Sequence, residues 1–343
     1  MEIDIQALRS AKVEEKVNIE ELFKIIKEEV LKLYLKQPGA MENAKVDIDM
    51  TTGQLKIIAC VKNDDGEIIE EFDDTPTNFD RFVMPTIKTI IKQKIYENFD
   101  NKIIETYKYK KGSLITGIIQ QSGENNPNIL VNIGDVEAVI PPQEQVPSEN
   151  YKHGDRIQAY VVDVMRGHKG PRIILSRTHP ELVREIFKLE VPDIQEGLVE
   201  IVSIAREAGY RTKVAVKATA PKINATGTCI GPMSNRINSV IKHLQGEKID
   251  IIDYSHDDAK YIANALAPAR VSSVLIEDEQ ERRAKVIVPD FQLSLAIGKQ
   301  AQNVRLAARL TGWKIDITSD VEQTGQIQTS HEQQKDSVQE EYI

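Results

Sequence analysis

Between residues 196 and 319 the chain writes one pattern twice. In the first copy Gly231-Pro232-Met233-Ser234 separates two helical stretches, and Gly246-Glu247-Lys248-Ile249-Asp250-Ile251 follows the second. In the second copy Gly298-Lys299-Gln300-Ala301 holds the same place, and Gly312-Trp313-Lys314-Ile315-Asp316-Ile317 closes the unit. The loop glycines lie 67 residues apart and the closing glycines 66 apart. Two matched elements at matched spacing constrain the fold more than either short string could. Alternating and apolar runs predict strands at 198–205 and 211–218, and again at 271–276 and 284–288. Helical periodicity precedes each copy, over 180–189 and 255–266, so each unit reads helix–strand–strand–helix–loop–helix–strand.

That order is the prokaryotic, type II KH arrangement, an RNA-binding module. A KH loop joins the end of one helix to the start of the next, where backbone N–H groups and the helix dipole favour a phosphate. Its glycines allow close approach, and the groove beside it takes about four nucleotides. The candidate contacts are Gly298, Lys299, Gln300 and Ala301 with Arg305 one turn into the next helix, and Gly231, Pro232, Met233 and Ser234 with Arg236. The competing reading of an isolated Gly-x-x-Gly is a tight helix–helix turn; repetition in one frame favours the clamp.

The rest of the chain predicts further modules, since 343 residues exceed one compact domain. Residues 1–110 contain a helix over 18–36, a hairpin over 46–61 with a turn at Thr52-Gly53, a turn at Asp64-Asp65-Gly66, and a helix over 85–99. Residues 111–178 hold five short strands with Gly, Asn and Pro turns, at 114–119, 129–133, 137–140, 156–163 and 172–176. Five strands in so short a span predict an OB-type closed barrel, although Tyr151 and Tyr160 are its only evident stacking aromatics. Residues 179–254 and 255–319 are the two repeat copies. The polar segment 320–343 has no hydrophobic period and is expected to be disordered. The fold class is multidomain α+β.

Charge agrees with this division. Residues 1–110 carry 17 basic and 22 acidic side chains, whereas 186–319 carry 18 and 16. A polyanion is therefore expected on the repeats and a protein partner on the first segment.

No catalytic constellation emerges. Cys60 and Cys229 stand alone in apolar runs, and the histidines are scattered without a clustered set of metal ligands. Ser255-His256-Asp257-Asp258 reads as an N-cap serine with acidic residues in a first helical turn. Asp64-Asp65 and Asp73-Asp74 read as acidic turns. No phosphate-binding Gly-x-x-x-x-Gly-Lys-Ser/Thr string occurs. The acidic start lacks a signal-peptide pattern and no apolar run could span a bilayer. Neither enzyme activity nor a cofactor or metal is expected, and the protein is expected to be a cytoplasmic monomer.

The strings Leu175-Ser176-Arg177-Thr178-His179-Pro180, Glu190-Val191-Pro192, Arg206-Glu207-Ala208-Gly209-Tyr210-Arg211, Asn264-Ala265-Leu266-Ala267-Pro268-Ala269 and Gln302-Asn303-Val304-Arg305-Leu306-Ala307 resemble the NusA family of bacterial transcription elongation factors. The resemblance spans about residues 1–319 and is most specific from 175 onward. It implies that 1–110 binds RNA polymerase, that 111–178 is an S-one-type OB barrel, and that 111–319 grips nascent single-stranded RNA. It implies roles in pausing, intrinsic termination and antitermination, with other antitermination factors as further partners. Arg177 and Arg211, inside the matched strings, join the expected RNA-binding set. The family's loops usually end in glycine; here Ser234 and Ala301 stand there, where a Cβ disfavours positive φ and crowds a phosphate. The alternative is a ribosome-associated or RNA-processing factor, such as a nuclease, built on the same OB and KH modules.

Overall fold

The computed structural model describes residues 19–49, 52–62, 67–123, 126–167 and 170–321. The turn expected at 64–66 and the tail beyond 321 lie outside the described residues. The chain divides into two compact units, residues 1–109 with 165–172 and residues 110–164 with 173–343.

In the first unit, helix α1 (Ile19–Tyr34) buries Leu22, Phe23, Ile26, Val30 and Tyr34. Their i, i+4 spacing makes one apolar face, and each large aliphatic contributes about 1.5–3 kcal/mol by leaving water. That face covers an antiparallel sheet of β1 (Ala44–Ile48), β2 (Leu55–Lys62) and β3 (Ile68–Asp73). Strand β3 was not expected. It is an edge strand exposed along its whole length, so no buried face imposes the alternation that betrays a strand. Helix α2 (Asp80–Lys108) is longer than its predicted span at both ends. Pro85 lies inside it, not at its start. Proline there deprives only the Arg81 carbonyl of its helical donor, and the buried Phe79, Val83 and Ile87 hold the first turns against the sheet.

In the barrel, β4 (Leu114–Gly123), β5 (Asn126–Asn132), β6 (Glu137–Ile140), β7 (Arg156–Gly167) and β8 (Gly170–Ser176) close in the order β4-β5-β6-β8-β7. Strands β6 and β8 run parallel and the other described pairs antiparallel. Strand β6 matches its predicted span, whereas β4, β5, β7 and β8 each extend past theirs at one end into hairpin residues that hydrophobic patterning does not mark, and β5 stops one residue short at the other.

The repeat then appears as two copies of one topology. The first has α3 (Pro180–Glu190), a single turn α4 (Pro192–Gln195), β9 (Val199–Glu207), β10 (Arg211–Ala218), α5 (Ala225–Ile230), α6 (Asn235–His243) and β11 (Lys248–Asp253). The second has α7 (Asp258–Ala265), β12 (Ser273–Asp278), β13 (Arg283–Val288), α8 (Asp290–Ile297), α9 (Gln302–Thr311) and β14 (Lys314–Ser319). In each, a hairpin is joined by a closing strand that lies parallel to its second strand, Arg211 facing Lys248 and Arg283 facing Lys314. A parallel return needs a helical crossover, and the loops 231–234 and 298–301 sit at the middle of their crossovers.

The copies share a core. Ala205, Ala215 and Ile252 of the first pack with Ile262, Val286, Leu306 and Trp313 of the second. Polar ties reinforce the seam: Ser203 Oγ donates to the Leu310 carbonyl at 3.0 Å, and buried Lys213 donates to the Ala267 carbonyl at 2.6 Å.

Candidate nucleic-acid interface

Helix α5 stops at Gly231 and α8 at Gly298, each with φ near 75° and ψ 171°. That corner of backbone space is essentially restricted to glycine. A Cβ at Gly231 would come within 2.6 Å of Asn235 Oδ1, and one at Gly298 within 2.9 Å of the Asn303 amide nitrogen. Both loops then continue identically. The third residues, Met233 and Gln300, have φ 50° and 51°; the fourth, Ser234 and Ala301, have φ 61° and 57°. Two consecutive left-handed residues without glycine cost about 1–2 kcal/mol apiece. Neither α6 nor α9 has a side-chain N-cap; their first amides, of Asn235 and Gln302, donate back to the Pro232 and Lys299 carbonyls of the loops, and the dipole of each helix N-terminus favours an anion there.

The expected cations divide sharply. Lys299 is exposed and has no ion-pair partner among the described residues. Arg305 is exposed but engaged: its Nε donates to Glu207 at 2.6 Å and its Nη1 to the Gln300 carbonyl at 3.1 Å. That bond, with a second from Gln302 at 2.9 Å, holds the Glu207 carboxyl below its ordinary range despite desolvation. Arg305 thus braces the second loop from outside.

Arg236 acts differently. Its Nη1 donates to the Thr228 carbonyl and to Asp193, both at 2.9 Å. One repeat later its position belongs to Asn303, whose Nδ2 reaches the Leu295, Ala296 and Leu266 carbonyls. Both side chains satisfy carbonyls at the end of the helix entering the loop. Arg236 is therefore a tie on that helix end, its charge neutralised by Asp193.

One expectation is corrected. Arg177 is 1% exposed, so no RNA phosphate can reach it. It bonds both oxygens of buried Glu149, with Nε at 2.8 Å, and the carbonyls of Gln158 and His243. It locks the barrel to the first KH copy. Arg211 is also occupied, forming a two-pronged pair with Asp250 at 2.7 and 2.9 Å along the β10–β11 ladder. In both cases a nearby carboxylate, distant in sequence, claims the guanidinium.

Both barrel tyrosines have partners within the chain. The Tyr151 hydroxyl accepts from the Val146 amide, and Tyr160 stacks on His179 at 4.6 Å with 13° between planes. Asp257, not Ser255, caps α7 by accepting from the Lys260 amide; Ser255 Oγ accepts from Asp257 instead. Among the described residues no His, Cys, Asp and Glu cluster could hold a metal. Cys60 and Cys229 are free and buried, and burial pushes the Cys229 thiol up to about 12, far from a nucleophile's range. No described helix is long and apolar enough to cross a membrane.

Comparison with known proteins agrees with this geometry. Residues 177–254 match the NusA-like first KH domain and 258–324 the NusA-like second KH domain. The transcription termination/antitermination protein NusA of Mycobacterium tuberculosis H37Rv is 46% identical over 93% of this chain and 94% of its own. The Bacillus subtilis protein of that name is 37% identical, covering 93% and 91%. The Thermus thermophilus protein is 35% identical, covering 91% and 88%.

Proposed function

Because this chain belongs to the NusA family of transcription termination/antitermination proteins, we propose that it regulates transcription by holding nascent single-stranded RNA on its KH loops. It is a non-enzymatic, RNA-binding transcription elongation factor. The observation that carries the RNA grip is the pair of loops with one backbone geometry, opening onto uncapped helix N-termini. A simple helix connection has no need to keep that costly conformation twice. The site set is Gly231, Pro232, Met233 and Ser234, with Gly298, Lys299, Gln300, Ala301 and Arg305; Arg236 supports the first loop from behind.

The first segment serves as the anchor to RNA polymerase. It is acidic in sum, which suits a protein surface better than phosphate. Contacts made by anchor and loops multiply through effective concentration. The setting is the cytoplasm, where nascent transcripts are available.

Transcription on a template with a defined pause tests the reading. Adding the full chain should lengthen the pause, and a chain lacking residues 1–110 should bind RNA but leave the pause unchanged. If the truncated chain lengthens pauses at equal concentration, the anchor is misassigned. Co-purification with ribosomal subunits in place of polymerase would favour the assembly-factor alternative.

A further inference from the structure

We propose that the free edge of β3 is a docking site for an extended, basic segment of a partner protein, which adds to the first unit's sheet as a fourth strand. This deepens the reading of the first segment as a protein anchor by naming the chemistry of what it holds. It does not depend on the RNA loops.

The edge is open in backbone and in side chains. Strand β3 pairs with β2 alone and ends the sheet. The Asp74 amide donates to the Ile57 carbonyl at 2.9 Å, so by alternation the backbone groups of Phe72 and Glu70 also face β2. Those of Glu71 and Asp73 point outward, and among the described residues they have no backbone partner. The register slips between Val61 and Lys62. The regular edge is therefore Glu70–Asp73, with Ile68 and Ile69 at the bulge before it. Ile68, Ile69 and Phe72 are exposed, Ile69 by 67%, and none of them joins the core beneath α1.

Proteins guard bare edges with charge, bulges or short length. Such protection accounts for the carboxylates and the bulge, but not for three large apolar side chains left in water. Apolar surface beside unpaired backbone is what strand addition uses: main-chain bonds hold the segment and alternate side chains select it.

Charge selects the occupant. Glu70, Glu71 and Asp73 line the edge, and among the described residues their one ion pair is Glu71 with Lys45 of β1, at 2.6 Å and exposed on both sides. Asp73 accepts from the Thr75 amide and hydroxyl. Anions, RNA included, are repelled here. A second copy would set two acidic edges against each other, and like charges facing across strands destabilise the pair. A segment with Lys or Arg at alternate positions matches Glu71 and Asp73, which share a face. The apolar residue between those positions then lies beside Phe72.

The test uses the full chain and a labelled peptide of about eight residues, alternating lysine and valine, against a control with the same residues in two blocks. The alternating peptide should bind about tenfold or more tightly than the control. Equal affinity would mean that charge alone acts, and overturns the proposal. Residue-resolved hydrogen exchange should find the Glu71 and Asp73 amides fast in the free chain and slowed by the alternating peptide; no slowing also overturns it. Glu71→Pro removes one outward donor, a change that edge strands tolerate. It should bind the peptide about threefold or more weakly than Glu71→Ala, which loses the charge alone. Lys45→Ala leaves the strand intact and frees Glu71, so it should tighten binding about two- to fivefold. Weaker binding in Lys45→Ala contradicts the charge match. Removal of residues 1–110 in the pause assay tests the anchor separately. If that truncation abolishes the pause effect while the peptide fails to bind, the anchor stands and the edge proposal alone is wrong. If the peptide binds while the truncated chain still lengthens pauses, the edge stands and the anchor is misassigned.

Discussion

Ser234 and Ala301 hold the same left-handed backbone, φ 61° and 57°, one repeat apart. Neither side chain pays for that conformation with a capping bond. Glycine at both positions should relieve about 1–2 kcal/mol of strain each, less about 0.5–1 kcal/mol for the more flexible unfolded chain. A small rise in melting temperature is expected, with tighter RNA binding because a phosphate meets no Cβ. Unchanged RNA affinity in the double-glycine chain would show that Cβ at these positions is no obstacle.

The first loop residues should tolerate nothing larger than hydrogen. Gly298→Ala puts a Cβ 2.9 Å from the Asn303 amide in glycine-only backbone, and should cost about 2–3 kcal/mol. Thermal unfolding of the full chain reads this; a parent-like transition would mean the loop simply rearranges.

If Arg305 contacts RNA as proposed, Glu207 competes with RNA for it. The pair is half open to solvent, with side chains 42% and 18% exposed, so it is worth about 0.2–1 kcal/mol. Glu207→Gln should release Arg305 and tighten RNA binding about two- to fivefold, with a steeper salt dependence. Weaker binding in that variant would make the pair a strut between the KH copies.

Much of this organisation was legible before any coordinates. The twin loops announced themselves because a repeat compares the chain with itself, and Gly312 at φ 77° ends α9 where the repeated glycine said it would. Arg177 looks like an RNA ligand because the sequence does not reveal that it will be buried beside Glu149, and the pairing of Arg211 with Asp250 is equally hidden there. Arg236 and Asn303 could have been paired by the 67-residue offset, but their common task appears only once the helix-end carbonyls are placed. Strand β3 and the ends of α2 were missed because exposed edges and an internal proline break the periodicities that define elements.

Alkaline pH offers a check on the core of the first KH copy. Burial raises the Cys229 thiol from 9 to about 12. A raised folded value means that its contribution is complete below pH 9 and is lost as pH rises from there towards 12, because the unfolded chain ionises first. Buried Lys213 is depressed by desolvation and works with opposite sign, its cost easing as pH approaches 10.5. Cys229→Ala should flatten the fall in melting temperature between pH 8 and pH 10.5. An unchanged fall would place the alkaline loss elsewhere.

The most direct measurement is a salt-dependent titration of unstructured single-stranded RNA with the full chain and with Gly298→Asp. Few cations near the loops are unmatched, so the parent should show the slope of about two to four phosphates at ~0.7 each. Gly298→Asp should bind more weakly by about 1–3 kcal/mol, the scale of losing charge-assisted hydrogen bonds to a phosphate. Equal affinity of the two chains, or a slope twice as steep, would contradict a grip centred on the KH loops.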